Sequence, residues 1–281
     1  MLGIFDSGFG GLTILKGVLK KLPEYDLMYL GDNARVPYGG RSPETVLKFS
    51  QEAVDFLFAQ GCELIIFACN TASAQALRKI QQQYLPRKYP GKNVLGVIRP
   101  TGEEAASVTK NKRVGVLATE GTVASGSFAQ ELKEQDKRIK VFQQPAPLLV
   151  PIVEAGEAAW PGTNLLLKKY LKPLLGKKID TLILGCTHYP VLKNKIRKIA
   201  GKNVKVISQD EIIGRKLKEY LERHPEYEKK LGKRSQRIFY TTDYSPRFAR
   251  LAKLFLGKEI EIEKIVLNDA KDEMRDLRRE T

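Results

Sequence analysis

The strongest constraint on this chain is the way short apolar runs alternate with stretches of helical period. Residues 2–5 read as a strand, after which Leu12, Leu15, Val18, Leu19 and Leu22 recur at the spacing of one helix face. Residues 27–30 form a second apolar run. Ser42-Pro43-Glu44 marks a helix start, with a capping hydroxyl, proline at the first helical position and an acid in the first turn, and Gly61 supplies the stop. A buried strand is expected over 64–68 and a helix from Thr71 to about Tyr84. The alternation continues through apolar runs at 94–98, 114–118, 140–142, 181–184 and 204–207. This order predicts an α/β protein with mainly parallel central sheets, helices on both faces and ligands outside the carboxyl ends of the strands.

A weak internal repeat refines that expectation. Leu64-Ile65-Ile66-Phe67-Ala68-Cys69-Asn70-Thr71 is paralleled 117 positions later by Thr181-Leu182-Ile183-Leu184-Gly185-Cys186-Thr187-His188. Leu2-Gly3-Ile4-Phe5-Asp6-Ser7 is paralleled 112 positions later by Val114-Gly115-Val116-Leu117-Ala118-Thr119. Similar offsets imply two related, pseudo-symmetric α/β units, each presenting a cysteine where a strand gives way to a helix. The expected division is a discontinuous first unit, 1–94 plus 208–281, and a second unit, 95–207.

Composition excludes several function classes. At 281 residues the chain can bury a substantial core without disulfides or a structural metal. Its longest charge-free run, residues 64–77, contains Asn70, Thr71, Ser73 and Gln75 and falls short of the roughly 20 apolar residues that a bilayer helix needs. No membrane association is expected, and the chain reads as cytoplasmic. Three cysteines, Cys62, Cys69 and Cys186, are no disulfide framework, and His188 and His224 complete no zinc-like spacing, so no metal site is expected. The net charge of +16, with no acid between Thr181 and Gln209, raises a nucleic-acid reading. Charge runs usually face water, however, and no homeodomain, zinc-finger or RNP pattern accompanies this one. A basic surface would equally attract a small dianion.

The candidate chemistry lies at the strand ends. A thiol just before a helix meets unpaired backbone N–H groups and the positive end of the helix dipole, which stabilise thiolate and lower the pKa from about 8.5 toward neutrality. Cys69 and Cys186 share that setting; Cys62, between Gly61 and Glu63, reads as a small buried hydrophobe. The segment Asp6-Ser7-Gly8-Phe9-Gly10-Gly11-Leu12-Thr13 is neither a dinucleotide fingerprint nor a phosphate loop, yet its N–H groups could hold a carboxylate. Asp6 at the strand end needs solvent or a cationic partner. The loop Val36-Pro37-Tyr38-Gly39-Gly40-Arg41 reaches over the same edge, and His188 stands beside Cys186. Glu154 is an acid inside an apolar stretch.

These residues resemble the glutamate racemases of the aspartate/glutamate racemase family. The resemblance rests on Asp6 to Thr13, Pro37-Tyr38-Gly39, Cys69-Asn70-Thr71-Ala72-Ser73 and Gly185-Cys186-Thr187-His188-Tyr189-Pro190, with weaker echoes around Glu154 and over 239–257. It implies two α/β domains enclosing glutamate in the cleft between them and a cofactor-independent racemisation that supplies D-glutamate for peptidoglycan. By that resemblance Cys69 and Cys186 take the positions of the two catalytic bases. Asp6, Ser7, Tyr38, Gly39, Asn70, Thr71, Thr187 and His188 take those that hold the substrate. Asp6 would assist the Cys69 side, and Glu154 and His188 the Cys186 side. Two positions depart from the family: Arg99 stands where an acid is usual, and Ala146 where a cysteine is frequent. They bear on regulation or domain packing more than on chemistry.

Inverting an α-carbon requires a base on one face and an acid on the other, and one cysteine per unit suits that need. The nearest rival is a racemase of aspartate or another amino acid. A nucleic-acid-binding protein on a racemase scaffold is a second, and a thiol oxidoreductase, which would want Cys-x-x-Cys, a third. A homodimer is considered as an assembly state that the residues themselves do not fix.

Overall fold

The computed structural model describes residues 1–244, 246–257 and 259–267, of which 246–249 by backbone alone. Among the described residues, ten strands form two sheets in which every pairing is parallel. The larger has the order β10-β9-β2-β1-β3-β4, built from β1 (Leu2–Asp6), β2 (Leu27–Gly31), β3 (Leu64–Phe67), β4 (Asn93–Gly96), β9 (Arg237–Thr241) and β10 (Glu263–Lys264). The smaller has the order β6-β5-β7-β8, from β5 (Arg113–Ala118), β6 (Lys140–Pro145), β7 (Thr181–Gly185) and β8 (Lys205–Ser208).

The sequence repeat has a direct counterpart in this topology. The order β2-β1-β3-β4 recurs as β6-β5-β7-β8, so β5 stands to its sheet as β1 does and β7 as β3 does. Sheet membership ends the first crossover at β4 and begins the return after β8. On that basis we propose units joined near Val97 and Gln209, a few residues beyond the sequence-derived 94/95 and close to 207/208. The last part of the expected first unit, 268–281, with Ser245 and Lys258, lies outside the described residues.

Alternation along the inner strands accounts for the layers. Leu2, Ile4, Leu27, Tyr29, Leu64 and Ile66 enter one apolar cluster, which continues into the smaller sheet. Phe5, Met28, Leu30, Ile65 and Phe67 enter a second, beneath the helix Pro43–Ala59. Both faces of a parallel sheet are thus buried, and the strands read as continuous apolar runs. The helix Pro43–Ala59 starts as read, with the Ser42 hydroxyl accepting from Thr45 N. The helix expected from Thr71 to Tyr84 is broken instead. It runs as Asn70–Gln75 and Leu77–Lys79, widens into a π turn over Ile80–Tyr84, and ends as Leu85–Lys88. Pro86 has no N–H for the carbonyl four residues back, which favours the widened turn before it. The run at 94–98 is strand only to Gly96, because the helix Ile98–Val108 follows at once. Among the described residues, no helix is long and apolar enough to cross a membrane.

The basic stretch after β7 is partly neutralised. Lys193 lies 2.8 Å from both Asp210 and Glu211, and Arg197 lies 2.9 Å from Glu211. These acids open the helix Gln209–Arg223, where negative charge also suits the helix dipole.

That helix crosses Gly11–Lys21 at very close range. A Cβ added at Gly17 would sit 2.3 Å from the Asp210 carbonyl oxygen, and one at Gly214 would sit 2.2 Å from the Gly17 carbonyl oxygen. Backbone on both sides leaves no rotamer to relieve the overlap. Gly214→Ala is therefore expected to lower unfolding free energy by at least about 1–3 kcal/mol. Gly176→Ala, whose added methyl meets nothing within 4 Å, serves as the matched control and should be neutral or slightly stabilising. Chemical denaturation of the two variants checks this.

Candidate active site

The residues singled out at the strand ends converge from both sheets. Asp6 ends β1, Cys69 follows β3 by two residues, Thr119 follows β5 and Cys186 follows β7. All four occupy carboxyl ends, where a parallel sheet leaves room for a ligand. Cys69 and Cys186 are both buried, at 5% and 6% exposure, as are Asp6, Ser7, Asn70, Thr71, Thr187 and His188.

On the Cys69 side, the thiol lies 3.4 Å from Ser7 Oγ. Burial pushes this thiol up to about 12, with the Asp6 charge adding to the shift; the Ser7 hydroxyl and the Ala72 N–H oppose it without prevailing. The sequence reading of a thiol drawn toward neutrality by its helix start is corrected here. The helix that Cys69 precedes is only six residues long, and enclosure beside a carboxylate outweighs its N–H groups. Asp6 itself is fully enclosed, and burial raises it to about 6. His188, the N–H groups of Gly8 and Gly11, and Thr187 offset part of that cost. Gly8 N donates to Asp6 Oδ2 at 3.0 Å, and Thr187 Oγ1 lies 3.4 Å from Asp6 Oδ1. The cationic partner that a buried carboxylate needs is thus His188, from the other unit.

On the Cys186 side, His188 bridges two groups. Its Nδ1 is 3.8 Å from Cys186 Sγ and its Nε2 is 3.1 Å from Glu154 Oε1. Burial alone would lower His188, but its hydrogen bonds to Cys186 and Glu154, with their charges, hold it up to about 10. A protonated imidazole donates from both nitrogens, which leaves the Cys186 sulfur as an acceptor. The ring is packed edge-on by Phe255, 5.6 Å away, from the helix Pro246–Leu256.

In the 36–41 loop the Tyr38 side chain is turned away from ligand contact. The Tyr38 hydroxyl donates to Asp32 Oδ2 at 2.5 Å and its ring packs against Phe5 and Phe49, so the phenol is committed to the core. Residues 38–39 can then offer a ligand only main chain. Gly39 O accepts from Gly121 N at 2.8 Å, and a Cβ at Gly39 would sit 2.8 Å from Thr119 Cβ, so only glycine permits this approach.

Several groups at the site escape the motif reading. Thr71 Oγ1 is 3.0 Å from Thr119 Oγ1 and 3.4 Å from Thr122 Oγ1, a cluster of three hydroxyls between the units. Thr13 Oγ1 is 3.0 Å from Thr187 O and 2.8 Å from Gly10 O. Asn70 pairs with Gln209. The repeat carried a signal for Thr119, which stands opposite Ser7 in the second correspondence; Thr122 and Gln209 had none. Of the two departures, Arg99 pairs with Glu103 at 3.4 Å on the surface, and Ala146 lends its carbonyl to the Tyr189 hydroxyl at 3.1 Å. A cavity of about 660 Å³ bounded by Leu77, Gly96, Arg99, Glu131 and Tyr220 is lined by neither thiol.

A two-unit α/β fold with one thiol at the carboxyl edge of each sheet is the architecture of a racemase class. The sequence profile of the Asp/Glu/Hydantoin racemase family matches residues 13–212, and the chain belongs to that family. It is 40% identical over 268 residues to the glutamate racemase of Persephonella marina, covering 95% of this chain and 97% of the relative. Among solved structures, glutamate racemase isoform RacE1 of Bacillus anthracis superposes with a TM-score of 0.87 at 35% identity, covering 95% of this chain and 97% of that one. The Francisella tularensis glutamate racemase in complex with D-glutamate gives 0.85 at 34%, with the same coverage.

His188 has a consequence for stability. Its folded value lies above the unfolded 6.5, so its contribution is complete below pH 6.5 and is lost as pH rises toward 10. The stability gap between wild type and His188→Asn should narrow as denaturation is repeated from pH 6.5 to 9. A constant gap contradicts the assignment. Asp6 acts in a separate, lower window, between 3.8 and about 6.

Proposed function

We propose that this chain is a cofactor-independent glutamate racemase, interconverting L- and D-glutamate by proton transfer between two thiols, and that it feeds D-glutamate to peptidoglycan synthesis in the cytoplasm. The observation that carries the reading is the pair of buried cysteines at equivalent strand ends, each with its own acid–base partners. Family membership and extensive identity to glutamate racemases support the substrate class. Both thiols belong to one chain, so the chemistry needs only one copy; a homodimer would be additional to it.

In the proposed reaction one cysteine, as thiolate, takes the α-proton. The C–H electron pair passes toward the α-carboxylate, and the other cysteine, as thiol, delivers a proton to the opposite face. The reverse direction exchanges the roles. Cys69, pushed up to about 12 beside Asp6, is poised as the donor in the ligand-free state. On the other side a protonated His188 faces the Cys186 sulfur at 3.8 Å. The α-proton is very weakly acidic, so the developing charge needs N–H and hydroxyl donors in a dry cleft. In this reading Ser7, Asn70, Thr71, Thr187 and the main chain of Gly39 supply them. Because the thiols and their partners are buried, the substrate would enter as the contacts of Thr71 with Thr119 and of Gly39 with Gly121 part and reform around it.

The deciding experiment incubates purified protein with D- or L-glutamate in D2O, following chirality by circular dichroism and α-deuterium by mass spectrometry. Interconversion with deuterium gain is expected, and aspartate should turn over far more slowly. Equal turnover of aspartate would favour the nearest rival, and no exchange with either would overturn the reading. Cys69→Ser and Cys186→Ser should each cost at least about a hundredfold in kcat, the lower range for loss of a general acid or base. Cys62→Ala should leave kcat within about twofold, since Cys62 sits against Met28, in the core beneath the helix Pro43–Ala59.

A further inference from the structure

We infer that Gln209 is a positioning residue for substrate binding: it fixes which end of the Asn70 amide is left for a carboxylate. The inference rests on the glutamate reading above and adds a residue to it that no motif carries.

Gln209 is the first residue of the helix that follows β8, where the chain returns to the larger sheet. Thr101 lies in the first turns of the helix after β4, where the chain left it. Asn70 follows Cys69. The three side chains meet with exposures of 1%, 0% and 2%, respectively, out of reach of bulk water. Asn70 Nδ2 donates to Gln209 Oε1 at 2.7 Å, and Gln209 Nε2 donates back to Asn70 Oδ1 at 2.8 Å. A reciprocal amide pair alone does not set its own direction, since turning both amides over preserves both bonds.

Thr101 breaks that degeneracy. Its single hydroxyl proton goes to the Val97 carbonyl at 2.6 Å, leaving the oxygen as an acceptor. Gln209 Nε2 approaches that oxygen at 3.1 Å and must present N–H to it. The polarity then propagates one way: the Val97 carbonyl directs Thr101, Thr101 directs Gln209, and Gln209 directs Asn70. Asn70 is left with its Oδ1 and one Nδ2 proton engaged and the second Nδ2 proton available. A turned-over Asn70 would offer a carbonyl oxygen instead, and an oxygen repels a carboxylate. Gln209 therefore sets the sign of the group that Asn70 offers to an anionic substrate.

The test is steady-state kinetics with both enantiomers of glutamate on wild type, Gln209→Leu, Thr101→Val, Asn70→Ala and the Asn70→Ala/Gln209→Leu double variant, with calorimetric D-glutamate binding on the same set. A contact equal in ground and transition states moves KM rather than kcat. Gln209→Leu should raise KM about tenfold for both enantiomers, the scale of one hydrogen bond to a charged group, with kcat little changed. Thr101→Val should raise it in the same direction by less. If Gln209 acts through Asn70, the double variant binds no worse than Asn70→Ala alone. Additive losses, or a fall in kcat at constant KM, overturn the inference while leaving the racemase reading intact. Should Gln209→Leu fail to fold, an unchanged KM in Thr101→Val overturns it by itself. A wild type that neither binds nor racemises glutamate overturns both.

Discussion

The backbone contact between the helices Gly11–Lys21 and Gln209–Arg223 is the constraint on which the rest depends. Each glycine lets the other helix approach until a methyl group would overlap carbonyl oxygen. One helix begins where β1 delivers Asp6 and Ser7, and the other begins where β8 returns the chain from the smaller sheet. Locking them together fixes how the carboxyl edges of the two sheets face each other. Thr187 and His188 then reach the first helix directly: at Gly10 a Cβ would sit 2.3 Å from Thr187 Oγ1. A side chain at any of these glycines would wedge the edges apart, and the two thiols with them.

Closure in turn sets the protonation of the site. Enclosed carboxyls and thiols favour their neutral forms, which is why Asp6 and Cys69 are both raised. The second unit answers with a cation, His188, which burial disfavours but two acceptors sustain. The outcome is an asymmetric pair built on a symmetric scaffold, with a thiol held up by burial at Cys69 and a protonated imidazole beside Cys186. The groups that distinguish the two sides, Asp6 and His188, lie within each other's field.

Much of the fold was legible because the governing pattern is local. Alternating burial made β1 to β3 continuous apolar runs, Ser42-Pro43-Glu44 fixed a helix start, and the repeated strand–cysteine segments anticipated the shared strand order of the two sheets. The two cysteines were legible for the same reason, since each closes a strand in the chain itself. What escaped depends on contacts across more than a hundred positions. Gln209 gains its meaning only against Asn70 and Thr101. The Cys69 titration was misjudged because the helix-start argument is local, whereas burial is a property of the closed molecule.

The hydroxyl cluster between the units has a further physical consequence. The hydroxyls of Thr71, Thr119 and Thr122 satisfy one another without ligand, so the closed state carries no unpaired donors there that would demand water. When an amino acid with two carboxylates enters, those mutual bonds can be exchanged for bonds to charged oxygens, which are about twice as strong as neutral ones. The exchange favours an amino acid with a second carboxylate over a neutral one, and the surrounding net charge of +16 acts in the same direction at longer range. Selectivity for an acidic substrate can thus arise from what the closed site must give up, even though no lysine or arginine is among the site residues named from the sequence.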